Sequence, residues 1–221
     1  MLRETEDVAR TYDCSQALQR ADGLREAADS VAHGRLVVLP TDTVYGLAAD
    51  AFTPAAVDVL LAAKGRGRDM PVPVLVDSRR MLDGVVDALP QSGRQLADSF
   101  WPGALTLIVR HSAALAWDLG NSRGTVAVRM PLHPVTLDLI AATGPLAVSS
   151  ANRSGAAPAT TVEKAREALG EAVEVYLDAG PSATAVPSTI IDLTAGTPRV
   201  LRVGAISAEA LREVCPGVED P

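Results

Sequence analysis

Short apolar runs alternate with helix-patterned segments through most of this chain, and one gap between two such runs is too short for a crossover. Leu36, Val37, Val38 and Leu39 form a continuous apolar run stopped by Pro40, which predicts a strand buried on both faces. Further strands are expected over 72–76, 105–109, 125–130, 145–149, 173–177, 188–193 and 199–203. Leu18, Ala21, Leu24, Ala28 and Val31 recur at helical spacing, with Gly34 as a left-handed stop, so a helix is expected over 16–33. Thr53 reads as an N-cap and Pro54 as the first residue of a helix whose apolar face is Val57, Leu60 and Leu61. Gly65 ends it, which puts Lys64 at a helix C-terminus. Helices are also expected over 78–89 and 92–100, from a capping box of Thr160 and Glu163 to Leu169, and from Ser207 to Val214.

Strand–helix alternation calls for an α/β layered domain, while the hairpin-length gap from Leu193 to Arg199 demands antiparallel pairing. The expected fold class is therefore α/β, an open, twisted, mixed parallel and antiparallel sheet flanked by helices. Residues 16–214 read as one domain, with 1–15 as an N-terminal extension and 215–221 as a C-terminal tail. The stretch 154–158 is a loop inside that domain.

A chain of 221 residues that is 48% hydrophobic has mass for a sizeable core. Its net charge of −7 argues against coating by nucleic acid, so any polyanion contact must be local. Cys14 and Cys215 lie near opposite ends and give neither a disulfide framework nor metal spacing, in keeping with a reducing cytoplasmic compartment. His33, His111 and His133 have no paired spacing, so no metal site is expected. Glu4, Glu6 and Asp7 stand where an export signal would be basic, and no apolar run approaches the roughly 18 residues of a membrane span.

The loop Lys64-Gly65-Arg66-Gly67-Arg68 gathers three cations between a helix and a strand. It reads either as a solvated turn or as a glycine-hinged, anion-handling lid. Of the 20 basic residues only Lys64 and Lys164 are lysines, so a lysine here fits a need for compact charge. The patterns GxxxxGK[ST] and GxGxxG are absent.

Five segments in order resemble the YrdC-type threonylcarbamoyl-AMP synthase family in its single-domain form: LPTDTVYGLAADAF from Leu39, KGRGRDMP from Lys64, WPGALTLIV from Trp101, VSSANRSG from Val148, and PSTIIDL from Pro187 followed by LRVGAIS. The resemblance spans about Leu18 to Leu211. It implies a YrdC-like fold and condensation of L-threonine, bicarbonate or CO2, and ATP into threonylcarbamoyl-AMP and pyrophosphate. The product would serve the threonylcarbamoyladenosine modification of tRNA beside the anticodon, through a downstream threonylcarbamoyl transferase complex and with a possible transient tRNA contact. Mg2+ would be carried on the triphosphate, with no membrane involved.

By the same resemblance, Lys64 and Arg66 match a K-x-R signature and are the candidate catalytic cations. Thr43, Arg129 and Ser188 are candidate threonine-binding residues. Arg66, Thr125, Ser150, Asn152 and Arg202 are candidate ATP-binding residues. Arg110 and Arg123 lack motif support and are expected at the surface. The chain departs from the common pattern at Gly67 (proline in the family), Met70 (asparagine) and Leu75 (often histidine), and it is shorter than members with an additional C-terminal domain. Two other functions fit the resemblance: a non-catalytic module binding structured RNA, and a carbamoyl-adenylating enzyme of another pathway.

Overall fold

The computed structural model describes residues 9–221; Glu4, Glu6 and Asp7 lie outside them. In chain order the elements are β1 (Arg10–Asp13), α1 (Ala17–Ala32), β2 (Val37–Leu39), β3 (Gly46–Asp50), α2 (Pro54–Lys64), β4 (Val74–Leu75), α3 (Arg79–Val85), α4 (Gln91–Phe100), β5 (Leu105–Arg110), β6 (Thr125–Arg129), α5 (Pro134–Thr143), β7 (Leu146–Ser150), α6 (Val162–Leu169), β8 (Val175–Asp178), β9 (Thr189–Asp192), β10 (Arg199–Arg202) and α7 (Ala208–Val214). The strands form one mixed ten-stranded sheet in the order β1-β8-β2-β3-β7-β4-β6-β5-β9-β10. The pairs β1–β8, β8–β2, β4–β6 and β5–β9 are parallel, and the others antiparallel. β9 and β10 form the hairpin that the short 193–199 gap demands.

Side chains alternate across the sheet, so each face has its own core. On one face Leu47, Leu105, Leu107, Val126, Val128, Ile191 and Val200 pack with Leu60 of α2, Leu96 of α4 and Leu211 of α7. On the other, Val37, Leu39, Ala48, Val175 and Leu177 pack with Ala27 and Val31 of α1 and Leu139 and Ile140 of α5. This second layer lies over the β1–β7 half and reaches Leu75 of β4, with Met81 of α3 packed against it. The strands β6, β5 and β9 contribute nothing to that cluster, and the site lies over their side of this face.

Several elements differ from expectation for local reasons. Leu18, placed on the buried face of α1, is 83% exposed. The buried residues are Gly23, Ala27, Ser30 and Val31, because α1 turns toward β1 so closely that a Cβ at Gly23 would lie 2.7 Å from Tyr12 Cβ. β1 falls in the segment read as an extension, and it pairs in register with β8. β4 is only two residues long, since Pro73 has no N–H for the ladder and contributes only its carbonyl, to Val148 N. α3 ends at Val85 because Val86 leaves to bridge His111. The cap of α6 is Thr161, whose hydroxyl accepts from Lys164 N, one residue later than the expected Thr160. Thr53 precedes α2 as expected, but its hydroxyl donates to Asp50 and caps no helix N–H.

Candidate active site

A cavity of about 370 Å3 opens over the β6, β5 and β9 side of that face. Its floor is apolar: Leu75 of β4, Ile108 of β5, Ala127 of β6, Val148 of β7 and Ile190 of β9. Gly46 of β3 keeps the floor flat, because a Cβ there would lie 2.7 Å from Val148 Cγ1. Polar groups stand around it. Thr43, Arg66, Arg129, Ser150, Ser188 and Arg202, six of the nine residues expected from sequence, line this one cavity. Lys64, Thr125 and Asn152 do not.

Arg129 closes β6 and is buried. Its Nε donates to Gly103 O at 2.9 Å, Nη1 to Thr43 Oγ1 at 3.0 Å and Nη2 to Asp42 Oδ1 at 2.6 Å. Burial pulls Arg129 below the usual arginine range, Asp42 works in the opposite direction, and the neighbouring positive charge of Arg202 adds to the lowering. The Thr43 hydroxyl in turn donates to Thr41 Oγ1 at 3.0 Å, since the Thr41 hydroxyl donates to Val44 O at 2.6 Å.

Arg202 closes the edge strand β10 and is bound across the hairpin, with Nε and Nη2 donating to Ser188 O at 3.1 and 2.7 Å and Nη2 to Ser188 Oγ at 3.2 Å. Ser188 Oγ also meets Thr106 Oγ1 at 2.8 Å. Gly204 makes this possible: a Cβ there would lie 2.2 Å from Pro187 O and 2.5 Å from the Ser188 carbonyl carbon.

Arg66 follows the left-handed Gly65 (φ 62°), which turns the chain out of α2. It donates weakly from Nη2 to Pro71 O at 3.4 Å, while its buried Nε has no partner. A buried guanidinium N–H left unpaired beside a cavity is a donor in want of an anion. Burial lowers its affinity for its proton, and Asp69 raises it.

Arg68, the third cation of the loop, does not serve the cavity. It is ion-paired with Asp58 of α2 and with Asp118. Backbone bonds from Asn121 N to Arg68 O (2.7 Å) and from Val72 N to Leu119 O (3.0 Å) fasten the loop to the 112–124 segment. The loop is thus a moored flap with Arg66 on its inner side.

Lys64 is buried, and its Nζ donates to Ser150 O at 2.5 Å and Asn152 O at 2.7 Å, while its own carbonyl accepts from Ser154 N at 2.8 Å. The ammonium therefore fastens the turn after β7, behind the cavity wall. Asn152 shapes the same turn by donating from Nδ2 to Arg153 O and Ala156 O, both at 2.8 Å, and its buried Oδ1 has no partner. Thr125 lies on the same face of β6 as Ala127 and Arg129 but at the far end, where its hydroxyl donates to Ser122 O at 2.7 Å.

Burial, with the charge of Arg66 second, pushes the Lys64 ammonium down to about 8 from 10.5. Between these values the unfolded chain binds more protons than the folded one, so this group raises stability as pH increases from about 8 to 10.5, its burial cost being fully present below 8. Denaturant titrations at pH 7 and pH 10 should show the native protein gaining stability relative to Lys64→Met. An unchanged difference between the two proteins contradicts the assignment.

Sequence reading carried Thr43 over from its motif but not Asp42 beside it, and passed over Thr106. The signal for Thr106 was present: one hydroxyl in the middle of the otherwise apolar Leu105–Val109. Two of the departures from the family pattern, Met70 and Leu75, face the cavity. Arg110 is exposed, and so is Arg123, whose φ is 51°. Among the described residues no group of three or more His, Cys, Asp or Glu side chains could hold a metal ion.

A family model, Sua5–YciO–YrdC, described as "Telomere recombination", matches residues 29–204. A "Putative threonylcarbamoyl-AMP synthase" of Mycobacterium tuberculosis is 54% identical over 207 residues, covering 94% of this chain and 95% of the relative. A threonylcarbamoyl-AMP synthase of Pyrococcus abyssi is 38% identical over 192 residues, and there the match covers 86% of this chain and 56% of the relative. Among solved structures, P. abyssi Sua5 complexed with L-threonine superposes with a TM-score of 0.90 at 33% identity, covering 97% of this chain and 62% of that one. Escherichia coli YciO, at 22% identity and a TM-score of 0.79 over 92% of this chain and 98% of that one, shares the fold. The family model matches most of the chain and the relatives agree with it, so the chain belongs to the Sua5–YciO–YrdC family.

Proposed function

We infer that this chain makes threonylcarbamoyl-AMP and pyrophosphate from L-threonine, bicarbonate or CO2, and ATP. The observation that carries this reading is the convergence of Arg66, Arg129 and Arg202, with the hydroxyls of Thr43, Ser150 and Ser188, around one cavity with an apolar floor. The reactants are a carboxylate, a carbamate and a triphosphate. One pair of unit charges at 4 Å costs about 4 kcal/mol at an effective dielectric of 20, so a site that gathers them must supply cations.

The threonine amine adds to the carbon of CO2 and loses a proton, giving the N-carboxylate; from bicarbonate the same N–C bond forms as a C–O bond breaks, and the departing hydroxide takes up the amine proton and leaves as water. An oxygen of that carboxylate then attacks the α-phosphorus of ATP, and the bond to the β-phosphate oxygen breaks as pyrophosphate leaves. Arg129, held beside Thr43, receives the threonine carboxylate, with Ser188 near it. Arg66 and Arg202 take phosphate oxygens, Arg66 through its free Nε–H and its planar fork. Ser150 stands at the nucleotide end. Lys64, Asn152 and Thr125 act from behind, shaping the turns that border the cavity. Mg2+ arrives with the triphosphate as part of the substrate. Free carbamates lose CO2 in water, so the moored flap 65–71, with Arg66 on its inner side, shields the cavity from solvent until adenylation is complete.

The product passes to a transferase complex that modifies a tRNA adenosine, a role that suits a cytoplasmic protein. Among the described residues no helix is long and apolar enough to cross a membrane. A structured-RNA module is disfavoured because the three arginines face into a concavity instead of a convex surface, on a chain of net charge −7.

Pyrophosphate release tests the reading. It should require L-threonine, bicarbonate and ATP together. Release with carbamoyl phosphate in place of threonine and bicarbonate points to the other adenylation pathway, and no release from folded protein points to RNA binding.

A further inference from the structure

We propose that Asp42 is a positioning residue for amino-acid binding, orienting the Arg129 guanidinium from outside the substrate cavity. Asp42 does not line the 370 Å3 cavity. It lines a second cavity of about 310 Å3 with Leu132, His133 and residues 179–183, and Thr41 and Tyr45 border both cavities. From there Oδ1 accepts from Arg129 Nη2 at 2.6 Å and from Leu132 N at 2.9 Å, so the carboxylate is itself anchored to the backbone that follows β6.

A guanidinium has five N–H donors in a rigid plane. Gly103 O, Thr43 Oγ1 and Asp42 Oδ1 occupy one on each nitrogen, which leaves one on each terminal nitrogen for a ligand carboxylate. The ion pair is buried, with side chains 8% and 15% exposed, and Arg202 opposes the Arg129 charge from the cavity side. Without Asp42, two cations would face each other with no anion behind Arg129, whose plane would rest on Gly103 O and Thr43 Oγ1 alone.

The inference rests on the reading that Arg129 receives the threonine carboxylate, and a double-mutant cycle separates the two. Calorimetric binding of L-threonine and of a non-hydrolysable ATP analogue is measured for the native protein, Asp42→Asn, Arg129→Met and the double variant, each checked for folding by thermal melting. Asp42→Asn should weaken threonine binding about tenfold and leave the ATP analogue within about twofold. In the Arg129→Met background, Asp42→Asn should change threonine binding less than about twofold. If Asp42→Asn does not fold, Asp42→Glu, which keeps the charge but displaces it, enters the same cycle with the same expectation. Unchanged threonine binding in the Asp42 variant, or an equal loss with and without Arg129, overturns the positioning role while leaving the reading of Arg129 intact. Unchanged binding in Arg129→Met overturns both.

Discussion

Lys64→Ala and Arg66→Ala should each lower kcat/KM for pyrophosphate release by about a hundredfold or more, whereas Lys164→Ala should stay within about twofold. The two losses have different origins. Arg66 is the only cation on the inner side of the flap, and its Nε is buried with no protein partner, so removing it takes away a donor whose bond forms only with ligand. Lys64 acts one layer back. Its removal leaves the carbonyls of Ser150 and Asn152 without the ammonium that gathers them, and the turn after β7 loses the shape that sets Ser150 at the cavity. The Lys164 ammonium is bonded to Thr160 Oγ1 at 3.3 Å, on the exposed side of α6. Steady-state kinetics on the three variants checks this, and near-equal rates reject it. The comparison of KM with kcat adds detail: Arg66→Ala should raise KM for ATP, while Lys64→Ala should also lower the melting temperature.

Gly204→Ala should be the most damaging single-methyl change at the site. The added carbon would meet Pro187 O and Ser188 backbone atoms at 2.2 to 2.6 Å, and no flexible side chain is there to move aside. Relief requires separating the segment after β10 from the start of β9. That breaks the Gly204 N and Ile206 N bonds to Thr189 Oγ1 and pulls Arg202 from Ser188. Overpacking with disruption of a buried network costs about 3 kcal/mol or more, a fall in melting temperature of roughly 6–12 °C for a domain of this size. ATP affinity should fall with it. A melting temperature and ATP affinity within error of native would mean the β9–β10 junction is softer than its contacts imply.

Much of this molecule is legible in its sequence because local rules and global packing agree. The run from Leu36 to Leu39, the Thr53–Pro54 start and the Gly65 stop each follow from backbone chemistry that tertiary contacts reinforce. β1 and β3 escaped notice for opposite reasons. Arg10–Asp13 is an edge strand of mixed polarity whose pairing depends on β8, some 165 residues away. Gly46–Asp50 is rich in small residues, Gly46 at the cavity floor and Ala48 and Ala49 buried in the two cores, and small residues give no periodic signal. The site divides similarly. Motifs pointed to Arg66, Arg129 and Arg202, which the fold brings to one cavity. No motif could say that Arg68 is spent mooring the flap or that Lys64 bonds carbonyls behind the wall. Those outcomes depend on Asp58, Asp118 and the turn at 150–154, whose positions only the folded sheet defines.

Neutralisation of anionic reactants in one cavity by three arginines, from the flap, β6 and β10, can be seen in a crystal structure with L-threonine and a non-hydrolysable ATP analogue bound. The threonine carboxylate should lie on Arg129 beside Thr43, and phosphate oxygens should lie within hydrogen-bond distance of both Arg66 and Arg202. Ligands seated elsewhere, or a triphosphate that touches neither of those two guanidinium groups, would contradict it.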